Sequence, residues 1–238
     1  MRVLGIDTSA QSGAVGFLDG EQVVFSEQAK IKPGGSERIP ALIAEALART
    51  GREVRELELI TVGVGPGSYT GVRVGLAIAK GLAFGLGIPL VGVPTLGALA
   101  LNSTGPERIC ALAKSRPGEV YAGLYRKRET NLTEISPPTI WSVSSLAAML
   151  REKGEHILFL GEVSAEVKAE LMTVLKTKAF FGTAAENAVD GARLAGWGRE
   201  KWERTQKNEL DTVLPLYLRR TEAEVRWEER SGRADVSG

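Results

Sequence analysis

An acid followed by two hydroxyl residues, Asp7, Thr8 and Ser9, is the first group in the sequence that could do chemistry. An acid and two hydroxyls at the end of a strand could hold a metal-bound phosphate. The same side chains could instead hydrogen-bond to the backbone of their own turn, as Asp, Ser and Thr commonly do. Both interpretations stay open, and the frequency of such turns favours the second.

A glycine-rich segment runs from Gly65 to Gly71 and reads Gly-Pro-Gly-Ser-Tyr-Thr-Gly. It lies between a predicted strand and a predicted helix, where backbone amides and a helix N-terminus can bind an anion. It lacks the Gly-Lys-Ser/Thr of a Walker loop, and its third glycine comes one position late for the dinucleotide fingerprint. The spacing fits two structures equally: an anion site that uses Gly65, Gly67, Ser68 and Thr70, and a tight turn that packs the helix on the sheet.

The chain has few residues that could act as nucleophiles or metal ligands, because it contains one histidine, His156, and one cysteine, Cys110. A zinc-protease helix needs two histidines four residues apart, so that site is excluded. Cys110 lies in an apolar run, which favours a buried, inert thiol over a Cys–His pair. A single cysteine also fits a reducing compartment. We therefore predict a cytoplasmic protein without a metal or a cofactor.

The overall charge gives no general affinity for nucleic acid, since 30 Lys and Arg residues balance 29 Asp and Glu residues. If RNA is bound, a partner must supply much of the contact. A short basic cluster, Arg126, Lys127 and Arg128, is interpreted as a solvated loop. The stretch from Gly81 to Pro106 has no charge, but glycine and proline interrupt it repeatedly. It therefore predicts helix, loop, strand, loop and helix, and no membrane span.

The elements that must position these residues follow from hydrophobic periodicity. Asp19-Gly20 between two apolar runs predicts a hairpin, so the chain should open with three antiparallel strands. Helices and strands should then alternate, which predicts a mixed sheet flanked by helices. The predicted elements are helices at Ser36–Thr50, Thr70–Leu86, Pro94–Leu101 and Ala184–Glu203, and strands at Leu59–Val64 and Leu90–Val93. Less clearly, the second half repeats the pattern of the first, with strands at Ile109–Ala113, Val120–Tyr125 and Ile157–Leu160, helices at Ser144–Lys153 and Val163–Lys176, and a final extended segment at Leu214–Leu218.

Taken together with the family resemblance that these motifs carry, described below, this order predicts four regions of the chain. Residues 1–103 form an N-terminal lobe that dimerises, and residues 104–183 form a smaller, degenerate second lobe. Residues 184–218 form a C-terminal helix and an extended segment that pack back on the first lobe. Residues 219–238 are charged and small and form a flexible tail.

The predicted helix Thr70–Leu86 is apolar on almost every side and carries charge only at Arg73 and Lys80. Such a helix should be buried on almost every side. One face should cover the sheet, and the other should contact a second protein chain. The predicted interface residues are Tyr69, Val72, Arg73, Leu76, Ala79, Lys80, Ala83 and Phe84. Small residues spaced along the helix would let another backbone approach. The alternative is a helix enclosed by its own chain.

Together these motifs resemble the signature of the TsaB (YeaZ) family. The resemblance is carried by Leu4–Ser9 and Gly65–Gly75, with further matches at Gly81–Ala83, Pro89–Val93, Thr95-Leu96, Glu119–Tyr121 and Pro215–Arg219. It is dense over residues 1–100 and sparse afterwards. The sequence departs from the family pattern at Lys114-Ser115-Arg116 and at Gly35, so no role is transferred to those positions.

The resemblance implies an α/β fold of the actin-like (ASKHA, ribonuclease H-like) type, with two lobes of mixed sheets flanked by helices. It implies a bacterial partner of TsaD, the transferase that forms N6-threonylcarbamoyladenosine at position 37 of tRNAs reading ANN codons. Family members form homodimers or pair with TsaD through first-lobe helices, and the ATPase TsaE joins the larger complex. Contact with tRNA would then be made through the complex.

The residues themselves indicate why such a chain should not catalyse. An actin-like ATP site needs phosphate loops from both lobes, and the nearest second-lobe turn, Gly161-Glu162-Val163, lacks the second glycine. We therefore predict a non-catalytic subunit. The alternative is a small-molecule kinase or ATPase that uses Asp7 and the Gly65–Gly71 loop. A peptidase, suggested only by the family's older name, is disfavoured by the single histidine.

Overall fold

The structure is a computed structural model that describes residues 1–10, 12–30, 38–129 and 131–219. It contains two five-stranded mixed sheets, in the orders β3-β2-β1-β4-β5 and β10-β9-β6-β7-β8. The strands are β1 (Arg2–Asp7), β2 (Ser12–Asp19), β3 (Gln22–Lys30), β4 (Leu59–Gly63), β5 (Leu90–Val93), β6 (Arg108–Lys114), β7 (Glu119–Arg128), β8 (Asn131–Ser142), β9 (Ile157–Gly161) and β10 (Ala179–Phe181). The helices are α1 (Arg38–Thr50), α2 (Tyr69–Leu86), α3 (Thr95–Ala100), α4 (Val143–Lys153), α5 (Ala165–Leu175) and α6 (Gly191–Thr205).

The two halves of the chain share one topology. In the first, β1, β2 and β3 pair antiparallel, and β4 and β5 add parallel to β1. In the second, β6, β7 and β8 pair antiparallel, and β9 and β10 add parallel to β6. Helices follow the third, fourth and fifth strand of each half. The predicted hairpin start, the mixed sheet and the repetition in the second half are confirmed.

The first sheet is covered on both faces. Leu42, Leu76 and Ala79 of α1 and α2 pack with Leu4 and Ile6 on one face. On the other face, α6 packs so closely that a Cβ on Gly5 would lie 2.3 Å from the Gly191 carbonyl oxygen. Burial of apolar surface on both faces of this sheet is the main term that stabilises the first lobe.

The second sheet packs on α4 and α5 through a core that includes Leu112, Leu146 and Phe159. Its other face contacts α3, where Leu96 and Tyr125 belong to one buried cluster. Ala98 of the same helix belongs to a buried cluster with Val3 and Val91 of the first sheet, so α3 joins the two sheets through apolar contacts.

Three expectations about the elements are corrected. The basic cluster Arg126–Arg128, interpreted from the sequence as a solvated loop, forms the end of strand β7. The helix predicted over Ala184–Glu203 begins only at Gly191, because the Asp190 side chain accepts hydrogen bonds from the Ala192 and Arg193 amides and caps it. Strands β8 and β10 have no counterpart among the predicted elements. Both are edge strands, and an edge strand tolerates proline, which β8 contains at Pro137 and Pro138. The start of the helix predicted from Ser36, position Gly35 and the tail beyond residue 219 lie outside the described residues.

None of the helices in the described ranges is both long and apolar enough to cross a membrane.

Candidate functional site

The carboxyl group of Asp7 ends β1 and is wholly buried. The Ser9 amide and hydroxyl both donate to Asp7 Oδ1, at 2.8 Å each. The Thr95 hydroxyl donates to Asp7 Oδ2 at 2.6 Å. Both carboxyl oxygens are therefore engaged by the chain itself, as the turn interpretation of this segment requires.

Burial also changes the acidity of this group. Desolvation raises the pKa of Asp7 above its ordinary value, while hydrogen bonds from Thr95 and Ser9 act to lower it. A carboxyl group in this position is poorly placed to hold a cation, because the charged form is disfavoured and no oxygen reaches solvent.

The glycine-rich loop packs directly on this turn. The Ser68 amide donates to the Ser9 carbonyl at 2.7 Å, and the Thr8 hydroxyl donates to the Gly71 carbonyl at 2.6 Å. A Cβ on Gly67 would lie 2.3 Å from the Ser9 carbonyl oxygen. The structure thus brings the two candidate phosphate segments together and uses the glycines for close backbone packing.

The remaining candidates in this group differ in exposure. Gly65 is buried and its amide donates to the Thr95 hydroxyl at 3.1 Å. Thr70 is exposed in the first turn of α2, and Ser68 caps that helix by accepting from the Gly71 amide at 3.2 Å. Thr95, which the sequence does not mark for chemistry, is the residue that links the loop to Asp7. Motif spacing could not have predicted this contact, because Thr95 lies 88 residues from Asp7 in the sequence.

The second-lobe turn considered for phosphate binding, Gly161-Glu162-Val163, begins at the last residue of β9, and the amide of that residue is already hydrogen-bonded. The Gly161 amide donates to Asn187 Oδ1 at 3.0 Å. Gly161 has φ +107, and a Cβ there would lie 2.1 Å from the Leu112 carbonyl oxygen. This glycine therefore meets a packing and backbone requirement of the second lobe.

Half of the predicted interface on α2 is corrected. Val72, Leu76, Ala79 and Ala83 are buried against the first sheet within the chain, so they are not surface residues. Tyr69, Arg73, Lys80 and Phe84 do reach the surface. The helix is apolar nearly all round, so its sequence could not indicate which side the sheet would take. The small residues Gly71 and Gly75 also face inward, onto Thr8.

The surface side of α2 consists of Arg73, Ala77, Lys80, Gly81 and Phe84, which we call the open flank. These positions are four, three, one and three residues apart, so they share one side of the helix. The Phe84 side chain is 80% exposed. A Cβ on Gly81 would meet no atom within 4 Å. The open flank therefore combines an exposed aromatic ring with bare backbone.

An aromatic cluster closes the N-terminal end of the open flank. The Tyr69 and Tyr217 rings stack with centroids 5.0 Å apart, and the Arg73 guanidinium lies 4.0 Å from the Tyr69 ring centroid. Arg73 Nε donates to the Tyr217 hydroxyl at 2.6 Å. The segment after α6 thus adds to the same surface as α2. Pro215–Arg219 carries part of the family resemblance, but its sequence does not indicate this contact.

Within the described ranges, no group of three His, Cys, Asp or Glu residues is arranged to hold a metal ion. Cys110 is buried, and desolvation raises the pKa of its thiol.

The TsaD family model, tRNA N6-adenosine threonylcarbamoyltransferase, matches residues 33–227. "tRNA threonylcarbamoyladenosine biosynthesis protein TsaB" of Bacillus subtilis is 34% identical over 228 residues, 95% of this chain and 98% of that protein. The Escherichia coli protein of the same name is 31% identical over 159 residues, 66% of this chain and 65% of that protein.

Two solved structures are similar in fold. YeaZ from Pseudomonas aeruginosa superposes with TM-score 0.78 at 23% identity, covering 91% of this chain and 99% of that one. A ROK hexokinase from Thermus thermophilus superposes with TM-score 0.50 at 16% identity, covering 85% of this chain and 100% of that one. The predicted actin-like fold is confirmed. The chain belongs to the TsaB (YeaZ) family of tRNA threonylcarbamoyladenosine biosynthesis proteins.

Proposed function

We propose that the chain is a non-catalytic subunit in the formation of N6-threonylcarbamoyladenosine at position 37 of tRNAs reading ANN codons. In this proposal it works in the cytoplasm and binds the transferase TsaD. Family membership supports the pathway. The observation that carries the subunit role is the open flank, where Phe84 is 80% exposed on a helix whose opposite side is core.

The open flank has the chemistry of a helix-packing surface. Burying an exposed Phe side chain stabilises a complex by about 1.5–3 kcal/mol. Ala77 and Gly81 have little or no side chain, so a partner helix can approach the backbone closely. The flank offers only two charges, Arg73 and Lys80, which lie toward its polar edge. An apolar helix from another chain would be a good match.

One surface cannot serve two partners at once. We therefore propose that a homodimer forms through the open flank when the chain is alone, and that TsaD replaces the second copy. TsaE joins the larger complex, and tRNA is held mainly by the other subunits. The lobe boundaries at residues 103 and 183 stay part of this proposal, with the first lobe as the docking lobe.

The buried Asp7 network supports the absence of catalysis. In the kinase or ATPase alternative, Asp7 would hold a metal-bound phosphate, but both of its oxygens accept hydrogen bonds from Ser9 and Thr95. Calorimetry with ATP and magnesium separates the two functions. Micromolar ATP binding that disappears in Asp7→Asn would favour the alternative. The peptidase hypothesis has no supporting geometry in the described residues.

The subunit role is tested with a matched pair of charge substitutions. Phe84→Glu places a carboxylate in the open flank, whereas Met172→Glu does the same at an exposed residue of α5 in the second lobe. We expect Phe84→Glu to be a folded monomer by circular dichroism and light scattering, and to be lost from TsaD co-purification. Met172→Glu should behave as the unsubstituted protein.

A modification assay completes the test. Supplied with tRNA and an activated threonylcarbamoyl donor, TsaD and TsaE should form the modified adenosine with the unsubstituted chain and with Asp7→Asn, but not with Phe84→Glu. A folded Phe84→Glu variant that still dimerises, binds TsaD and supports modification would refute the proposed interface.

A further inference from the structure

A cavity of about 490 Å³ opens at one end of the second sheet. It is lined where β6 and β9 begin and where β7 ends. Three arginines line it, Arg108, Arg126 and Arg128, together with His156 and Phe180. None of these residues belongs to the Asp7 network or to the open flank, so the proposed function leaves the cavity without a role.

The arginines are brought together by strand register. Arg108 of β6 lies directly opposite Arg126 of β7, and Arg128 follows two residues later on the same strand. Residues that are opposite, or two apart, share one face of a sheet. Like charges directly opposite each other destabilise a strand pair. This arrangement therefore needs negative charge to compensate it.

The chain supplies only part of that compensation. Glu155 forms an ion pair with Arg108, and Glu107 forms one with Arg128 at 3.1 Å. The Arg126 side chain is half-buried and forms no hydrogen bond or ion pair with any residue in the part of the chain that the structure describes, although the backbone of Arg126 pairs with β6 and β8. One guanidinium thus faces the cavity region with its charge uncompensated, between two arginines that are already paired.

An aromatic surface borders the same cavity. The Phe180 ring is 42% exposed, and the His156 ring meets it edge-on with centroids 5.6 Å apart. Guanidinium groups bind phosphate oxygens in a two-point geometry. Exposed aromatic rings stack on bases with little regard to sequence. The cavity also has the volume of a small-ligand site, about 300–1,000 Å³. Its chemistry matches a phosphate attached to a flat base.

We propose that this cavity binds a nucleotide unit of RNA, with the phosphate on Arg126 and the base against Phe180 and His156. The choice of RNA over a free nucleotide rests on the proposed function. The phosphate site itself rests only on the cavity, and its failure would leave docking through the open flank untouched.

The test measures binding of three probes to the full chain: a short fluorescent oligoadenylate, adenosine monophosphate and inorganic phosphate. We expect the oligoadenylate to bind most tightly and inorganic phosphate most weakly. Arg126→Ala should weaken oligoadenylate binding about tenfold, as expected for the loss of a charged hydrogen bond. It should also reduce the slope of log affinity against log salt by about 0.7, the value for one phosphate of a single strand.

Three further variants separate the site from general charge, from misfolding and from a site for phosphate alone. Arg204→Ala removes an exposed arginine of α6 and should leave binding unchanged. Glu107→Gln releases Arg128 from its ion pair and should tighten binding, which a misfolded protein could not do. Phe180→Ala should remove the advantage of adenosine monophosphate over inorganic phosphate.

Several outcomes would overturn the inference. Equal oligoadenylate affinity for Arg126→Ala and the unsubstituted chain would reject the phosphate site. Adenosine monophosphate binding as tightly as the oligoadenylate would reject RNA as the source. Phe84→Glu, which tests the proposed function, should retain oligoadenylate binding, so the two proposals fail separately.

Discussion

The Thr95 hydroxyl donates a 2.6 Å hydrogen bond to Asp7 Oδ2 and so ties the start of α3 to the end of β1. The same hydroxyl accepts from the Gly65 amide at 3.1 Å, and the Ser9 hydroxyl, which donates to Asp7 Oδ1, lies 3.2 Å from it. A position that could have served a phosphate is instead the junction of a strand, a loop and a helix. Its polar groups satisfy one another in a buried setting, where an unpaired group would be costly.

This junction predicts a specific pH dependence for Asp7→Asn. Burial raises the pKa of Asp7 from its ordinary 3.8. The folded state therefore keeps the proton to higher pH than the unfolded state does. The free energy of unfolding contributed by Asp7 is greatest below pH 3.8 and falls as pH rises through the folded pKa. Asn cannot ionise, so the stability of the variant relative to the unsubstituted protein should rise over that interval.

Urea unfolding of both proteins, from about pH 4 to about pH 8, measures this difference. Parallel stability curves across that range would show that Asp7 does not have a raised pKa in the folded state, and that the junction holds a charged carboxylate at all these values.

Two glycines of α2 should respond oppositely to alanine. In Gly75→Ala the new Cβ would lie 2.4 Å from Thr8 Oγ1, a hydroxyl that is held by the Gly71 carbonyl. We expect a loss of about 1–2 kcal/mol, because overpacking exceeds the gain in helix propensity. A Cβ on Gly85 would meet no atom within 4 Å, so Gly85→Ala should gain about 0.5–1 kcal/mol. Thermal unfolding of the two variants at matched protein concentration checks both expectations. If the two substitutions changed stability equally, Gly75 would not be packed against Thr8 as the structure has it.

Local signals predicted the elements of the first lobe well. Asp19-Gly20 indicated the first hairpin, and α2 begins one residue before the predicted Thr70 and ends at the predicted Leu86. These features depend on turn chemistry and on caps, which are encoded within a few residues. The link from Thr95 to Asp7 could not be predicted in this way, because only the folded sheet brings the two together.

The sequence also could not predict which side of α2 faces the sheet. Val72 and Val74 are equally apolar, yet Val72 is buried and Val74 is only partly so. Hydrophobic patterning assigns a face only when the other face is polar. In the second lobe, β8 contains Pro137 and Pro138, and proline is acceptable in a strand only when that strand is an edge, a position that depends on the folded sheet.

Glu186 should stabilise the junction between the lobes. One oxygen accepts from the Thr104 amide and hydroxyl at 3.0 and 2.7 Å, and the other accepts from the Thr183 amide and hydroxyl at 2.9 Å each. The hydrogen bond from the Thr183 amide is the main cause that lowers the pKa of Glu186 to about 2. A glutamine amide cannot accept on both sides, so Glu186→Gln should cost about 1–2 kcal/mol at neutral pH, allowing for partial exposure.

This contribution has the opposite pH sign to that of Asp7. A lowered folded pKa stabilises the protein above the ordinary value of 4.5, and the stabilisation is lost as pH falls towards 2. The difference in unfolding free energy between the unsubstituted protein and Glu186→Gln should therefore shrink on acidification. A difference that stays constant between neutral pH and about pH 3 would contradict the assigned hydrogen bonds.

Neighbouring residues of α2 should separate stability from association. Leu76 is 5% exposed and packs on the first sheet, so Leu76→Ala should lower the free energy of unfolding by about 2–5 kcal/mol. It leaves the open flank intact, and its folded fraction should dimerise and bind TsaD normally. Ala77→Arg places a charge on the open flank and leaves the core packing as it is, so its stability should stay within about 0.5 kcal/mol. Its dimer and its TsaD complex should not form.

Sedimentation velocity of the two variants, at a temperature where both are folded, resolves the pair. If Leu76→Ala were monomeric and Ala77→Arg dimeric, the side of α2 used for association would be the one that packs on the first sheet. The helix would then have to leave its own core to meet a partner, at a cost in buried apolar area that a surface contact would not replace.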